Sequence, residues 1–166
     1  MGIRYYAYAF NADATEWILA DPRRGMSADP LADAWGFEPG SAGGPASMEQ
    51  TSSERDMLYL DKAWGGLQRL TGPESGGGIA RPSHRMFEGQ VVMHHDGWEA
   101  CVRAVPPADV AAIAEDLREL LDEVAPDVDD ETPSESLEYH LYYLRQAEKF
   151  VSALADEGRG FVYEIG

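Results

Sequence analysis

The stretch from Ser134 to the last residue constrains this chain more than any other. Leu137, Leu141, Leu144, Val151 and Leu154 recur at three- or four-residue spacing and so fall on one face of a long helix, with Ser134 placed to cap it and Gly158 to end it. Gly160-Phe161-Val162-Tyr163-Glu164-Ile165 follows at once, with the composition and alternation of a strand. At the other end, Ile3 to Phe10 sets Tyr5, Ala7 and Ala9 opposite Tyr6, Tyr8 and Phe10, the pattern of a central strand covered on both faces.

Between these ends the punctuation is local. Asp13 and Glu16 have the spacing of a capping box ahead of Trp17-Ile18-Leu19, and Asp29-Pro30 opens a second short helix that Gly36 closes after Trp35. Arg85 to Met93 and Trp98 to Val105 read as two antiparallel strands joined across His94-His95-Asp96-Gly97. Pro106-Pro107 then opens a helix with Val110, Ile113, Leu117 and Leu121 on its apolar face, and Pro126 to Pro133 is an acidic connection. These elements predict an α+β fold: a mostly antiparallel sheet from both termini and a central hairpin, covered by the two C-terminal helices. The 166 residues suit a single domain, 1–166, with flexible loops near 36–54 and 72–83, where Gly, Ser and Pro concentrate.

Charge narrows the function classes. Thirteen Lys and Arg against 30 Asp and Glu leave a net charge of −17, which repels phosphate backbones and anionic lipid, so neither nucleic acid nor membrane is an expected partner. The lone Cys101 cannot form an internal disulfide, no apolar run reaches membrane-span length, and the first residues lack a signal-peptide core. A cytoplasmic location is expected.

The segment Asp61-Lys62-Ala63-Trp64 through Gly72 reads as a complete unit: Asp61 caps a helix starting at Lys62, Trp64 and Leu67 share its buried stripe, and Gly72 supplies a left-handed stop. This segment resembles the aspartate-lysine-x-tryptophan signature of the YfbM-like family, small bacterial proteins grouped as a domain of unknown function. Arg103-Ala104-Val105-Pro106-Pro107-Ala108-Asp109-Val110 is similar to that family's join from strand to helix, and Gly2-Ile3-Arg4-Tyr5-Tyr6 to its beginning. The resemblance implies a bacterial α+β domain and carries over no catalytic residue.

The same segment holds the candidate ligand site. Tyr59, Asp61, Lys62 and Trp64 could set an ionisable pair beside an aromatic wall, whereas the plainer reading makes Asp61 a cap, Lys62 a solvated cation and Trp64 core. His94, His95, Asp96 and Glu99 have metal-binding side chains, but neighbours on a strand point to opposite faces, so no metal site and no cofactor is expected. No nucleophile elbow or phosphate loop is complete, and Cys101 lies in an apolar run as an inert thiol. The positive signal is the acidic band Glu115, Asp116, Glu119, Asp122, Glu123 and onward to Glu138, broken by Arg118 alone. Glu115, Glu119, Asp122 and Glu123 are therefore candidate contacts for a basic protein, and the chain reads as an acidic protein-binding module. The alternative is a small-ligand binder or enzyme using a pocket near Asp61 and Trp64.

Overall fold

The computed structural model describes residues 2–37, 47, 49–74, 77–124 and 135–166. Its elements, in chain order, are β1 (Tyr5–Phe10), α1 (Thr15–Ala20), α2 (Pro30–Trp35), β2 (Met57–Asp61), α3 (Trp64–Thr71), β3 (Val92–His94), β4 (Gly97–Glu99), β5 (Cys101–Val105), α4 (Pro107–Val124), α5 (Glu135–Glu157) and β6 (Gly160–Ile165), with 3-10 turns at 12–14, 22–25 and 82–86. The fold is α+β, and both terminal strands sit at the centre of an antiparallel sheet ordered β2-β1-β6-β5.

Alternation along the strands splits the core in two. Tyr5, Ala7, Leu58, Leu60, Val105, Phe161, Tyr163 and Ile165 face α4 and α5, together with Val110, Ile113, Leu117, Leu144, Val151 and Leu154 of those helices. Tyr6, Met57, Phe10 and Val162 face the other way, onto Ala34 of α2 and Ile18 of α1. The short N-terminal helices therefore cover the second face of the sheet, which explains why β1 reads as apolar on both sides, and they bury Val162 of β6 as well.

Several local expectations are corrected. The hairpin forms, but as a separate two-stranded ribbon, β3 with β4; β5 alone joins the sheet, and Pro82–Met86 is a 3-10 turn. β2 reads in the sequence only as a lead into the Asp61 segment, yet it forms the sheet edge beside β1. Asp13 and Glu16 make no capping box: Asp13 lies inside the 3-10 turn and the α1 cap position carries no side-chain bond. Asp29 does cap α2 by accepting from the Ala32 N–H at 3.0 Å, and Gly36 ends that helix at φ 66°. The loops expected near 36–54 and 72–83 lie partly outside the described residues. The connection 126–133 and the cap at Ser134 lie wholly outside them.

The segment 81–89, a 3-10 turn at 82–86 with an irregular tail, buries Ser83, Met86 and Phe87, so backbone groups that the turn leaves unpaired must find partners. Several of these are side chains of β1, β6, α3 and α4. Tyr5 Oη donates to the Met86 carbonyl at 2.8 Å, and Tyr163 Oη to the Arg85 and Glu88 carbonyls at 3.0 and 2.9 Å. Gln68 Nε2 donates to the Phe87 and Gly89 carbonyls, and the Asp116 carboxylate accepts from the Ser83 N–H at 2.9 Å. Asp116 is thus an internal strut only 6% exposed, rather than part of an acidic surface.

Candidate functional site

Asp61 ends β2 instead of capping α3, which begins at Trp64 without a side-chain cap. It is the one non-glycine residue with a left-handed backbone among those described, at φ 46°, a conformation that side chains larger than glycine hold only when their surroundings compel it. The compulsion is visible. Its carboxylate accepts from Arg4 Nε at 3.1 Å, from Tyr59 Oη at 2.9 Å and from Tyr139 Oη at 3.0 Å, so three elements meet on one side chain. Burial by itself would raise the Asp61 carboxyl; the tyrosine hydroxyls and the Arg4 charge outweigh it and hold the group below the usual carboxylate range. The same contact works in reverse on Tyr139, whose phenol is pushed up to about 12 by burial and by the neighbouring carboxylate.

Asp61 fixes two aromatic walls through these bonds. Tyr59 is held from both sides, since its hydroxyl donates to Asp61 and accepts from Trp35 Nε1 at 3.2 Å, and its ring stacks on Tyr6 with centroids 5.4 Å apart. Arg4 lies over the Trp35 ring at 5.2 Å, which closes the back of the cluster. On α5, the Tyr139 ring meets Tyr143 edge to face at 5.0 Å, and Tyr143 meets Tyr142 at 5.1 Å.

In front of these walls lies a cleft of about 470 Å³ at the β2 edge of the sheet, bounded by β2, residues 49–54, Ala34 and the α5 stretch from Tyr142 to Phe150. Tyr59, Tyr142 and Tyr143 line it with aromatic rings, Gln50 and Gln146 with amides, and Glu49 and Glu54 with carboxylates. Lys149 at the rim donates to Glu54 at 2.6 Å, so an ammonium group already sits against this carboxylate. The outer strand edge within the cleft is closed at Met57, whose N–H donates to the Ser53 carbonyl at 3.0 Å and whose carbonyl accepts from Gln50 Nε2 at 3.2 Å.

The structure brings together some of the expected residues and separates others. Tyr59 lines the cleft and Asp61 stands behind it, while Lys62 is exposed and packs its stem beside Gly2. Trp64 is half-buried against the main core, its indole N–H donating to the Ile3 carbonyl at 3.2 Å. Gly72 is extended at φ −71°, not left-handed. His140 packs on Gly66, where an added Cβ would collide with its imidazole, and does not reach Asp61 by any hydrogen bond. Arg4, Trp35, Tyr139, Tyr142, Tyr143 and Lys149 are not marked by the sequence as residues of the site. Their one legible sign was the tyrosine spacing on α5, where 139, 142 and 143 share a helix face.

The proposed partner contacts Glu115, Glu119 and Asp122 are exposed on α4. Glu123 is exposed but engaged: both its oxygens accept from the Arg81 guanidinium, at 2.7 and 3.2 Å. Cys101 is half-buried at the edge of the core, and His94 lies 3.9 Å from Glu99. Among the described residues no group of three metal-ligating side chains converges, and no helix is long and apolar enough to cross a membrane.

The chain matches a family model described as a domain of unknown function (DUF1877) over residues 1–163. No curated protein and no solved structure matches it.

Proposed function

The chain belongs to the DUF1877 family, a domain of unknown function, and on that premise we propose that it is a binding module, acting as a single domain, that receives a cationic side chain of a basic protein in the tyrosine-lined cleft. The observation that carries this reading is the lining itself: Tyr59, Tyr142 and Tyr143 contribute three aromatic rings beside Glu49 and Glu54. Aromatic faces attract cations through their quadrupole; the Glu49 carboxylate adds charge, and an arriving cation competes with Lys149 for Glu54. The walls are set before the ligand arrives, because Asp61 orients Tyr59 directly and Tyr143 through Tyr139, which lowers the ordering cost of binding. Asp61 itself is a positioning residue. Its oxygens are committed to three donors, an arrangement suited to holding a shape rather than moving a proton.

The net charge of −17 supplies the field that draws such a partner in, and Glu115, Glu119 and Asp122 on α4 contribute to the association rate rather than to the contact. Bacterial origin, the YfbM-like label and a cytoplasmic setting belong to the same proposal, supported by the Asp61 to Trp64 resemblance and the single cysteine. Calorimetry with a lysine-rich peptide and a glutamate-rich peptide of equal length tests it. The lysine peptide should bind and the glutamate peptide should not. Tyr142→Ala removes a side chain 57% exposed, so it should weaken binding about 3- to 30-fold, the range of one cation–aromatic contact, with the circular dichroism unchanged. Equal binding of the lysine peptide by wild type and Tyr142→Ala refutes the cleft.

A further inference from the structure

The two edges of the sheet are finished differently. At β2 the chain covers the Met57 end of its own edge, through the Ser53 carbonyl and the Gln50 amide. At β5 it does not. Arg4 and Gly166 exchange both backbone bonds, so residues 4, 6, 8 and 10 bond toward β6, and Gly166, Glu164, Val162 and Gly160 bond toward β1. Ile165, Tyr163 and Phe161 therefore bond toward Cys101, Arg103 and Val105, which leaves the N–H and C=O groups of Val102 and Ala104 directed away from the sheet. Among the described residues no backbone group pairs with them.

The surface around this edge mixes exposed apolar side chains with paired charges. One cleft, of about 320 Å³, wraps the edge from Leu19, Pro22, Val102 and Ala104 on one face to Arg103 and Tyr163 on the other. A second joins Arg23, Val92, Glu99 and Val102. The ribbon leading into β5 exposes Val92 by 54%, Met93 by 66% and Trp98 by 41%, and Met93 and Trp98 lie directly opposite each other across its strands. Four arginines surround the edge, and each has an acid: Arg23 with Glu99 at 3.9 Å, Arg24 with Asp21 at 3.3 Å, Arg85 with Asp109 at 2.8 Å and Arg103 with Glu88 at 3.1 Å. With Glu164 of β6, opposite Val102, four arginines face five carboxylates, close to balance in a chain whose net charge is −17.

We propose that this face pairs with a second copy of the chain across a two-fold axis, β5 against β5, to continue the sheet through both molecules. An open edge of five residues beside exposed apolar side chains is a ready template for a further strand. An identical strand meets it in antiparallel sense with Val102 opposite Ala104 of the copy and the reverse, so every outward group gains a partner. Charge selects the occupant: a like molecule of −17 is repelled by the acidic remainder of the surface and can approach where charges of both signs alternate. At the axis each Arg103 brings its own Glu88, so the arginines meet with equal numbers of acids between them.

Sedimentation equilibrium of the full chain over a concentration series, with amide hydrogen exchange, tests this. The expected mass is twice the chain's 18.2 kDa, and the Val102 and Ala104 amides should exchange slowly at high concentration and faster on dilution. Ala104→Pro removes an outward N–H and no bond within the sheet, and Trp98→Glu charges an exposed ribbon side chain; each should shift the equilibrium to monomer with circular dichroism unchanged. Should Ala104→Pro fail to fold, Trp98→Glu and the exchange rates still decide the matter. A wild-type chain that stays monomeric to millimolar concentration, as it would if the edge serves a peptide from another protein, overturns the proposal. A dimer that survives both substitutions, or open-edge exchange at Val102 and Ala104 in the dimer, overturns it equally.

Discussion

Replacing Asp61 separates backbone strain from side-chain bonding at the residue that organises the cleft. Hydrogen bonds to a charged acceptor contribute about 1.5–3 kcal/mol each, and Asp61 accepts three. Its side chain is 26% exposed, so water takes over part of the bonding on removal and the total loss should be about 3 kcal/mol rather than the full sum. Alanine also inherits φ 46°, at a further cost of about 1 kcal/mol that glycine avoids. Asp61→Ala should therefore lose about 4 kcal/mol and Asp61→Gly about 3, whereas Asp61→Asn, which keeps one acceptor and tolerates the left-handed region, should lose about 1–2. Urea unfolding followed by tryptophan fluorescence at pH 7 measures all three. The acid limb provides a second reading. The folded carboxyl is held below its ordinary value, so its stabilisation is present above the unfolded value of about 3.9 and is lost as pH falls through the folded one. The gap between wild type and Asp61→Asn should then shrink below about pH 4. An Asp61→Ala midpoint indistinguishable from wild type, or Asp61→Gly less stable than Asp61→Ala, would refute the reasoning.

Two further outcomes follow from the burial pattern. Glu164 on β6 is half-buried, and its carboxyl is raised by burial against the opposing pull of Arg23; its folded value lies above the unfolded one, so the ionised form disfavours the fold at neutral pH. Glu164→Gln should raise the thermal midpoint at pH 7 and leave it unchanged near pH 4, which calorimetry at both pH values would show. Trp64→Ala should cost about 3 kcal/mol, the low end for a large aromatic, because Trp64 is half-buried and gives up its bond to the Ile3 carbonyl; a urea midpoint equal to wild type would show that its packing carries no weight.

What the sequence determined by itself is the part governed by periodicity and local punctuation. The apolar stripes of α4 and α5, the two-sided burial of β1, the existence of β6, the cap at Asp29 and the stop at Gly36 all follow from residues within a turn or two of each other, where spacing and backbone preference leave few alternatives. The tertiary structure decided everything that depends on a partner far along the chain. Asp61 has the composition of a helix cap and the neighbours of one, yet Arg4, 57 residues earlier, and Tyr139, 78 residues later, hold it at the end of a strand. Asp116 reads as one more solvated acid until the Ser83 N–H and the Arg81 guanidinium meet it in the core. The tyrosine cleft belongs to the same class, because its walls come from β2 and α5. A carboxylate looks alike in sequence whether it caps, solvates or braces, and its role is set by which donors the folded chain delivers to it.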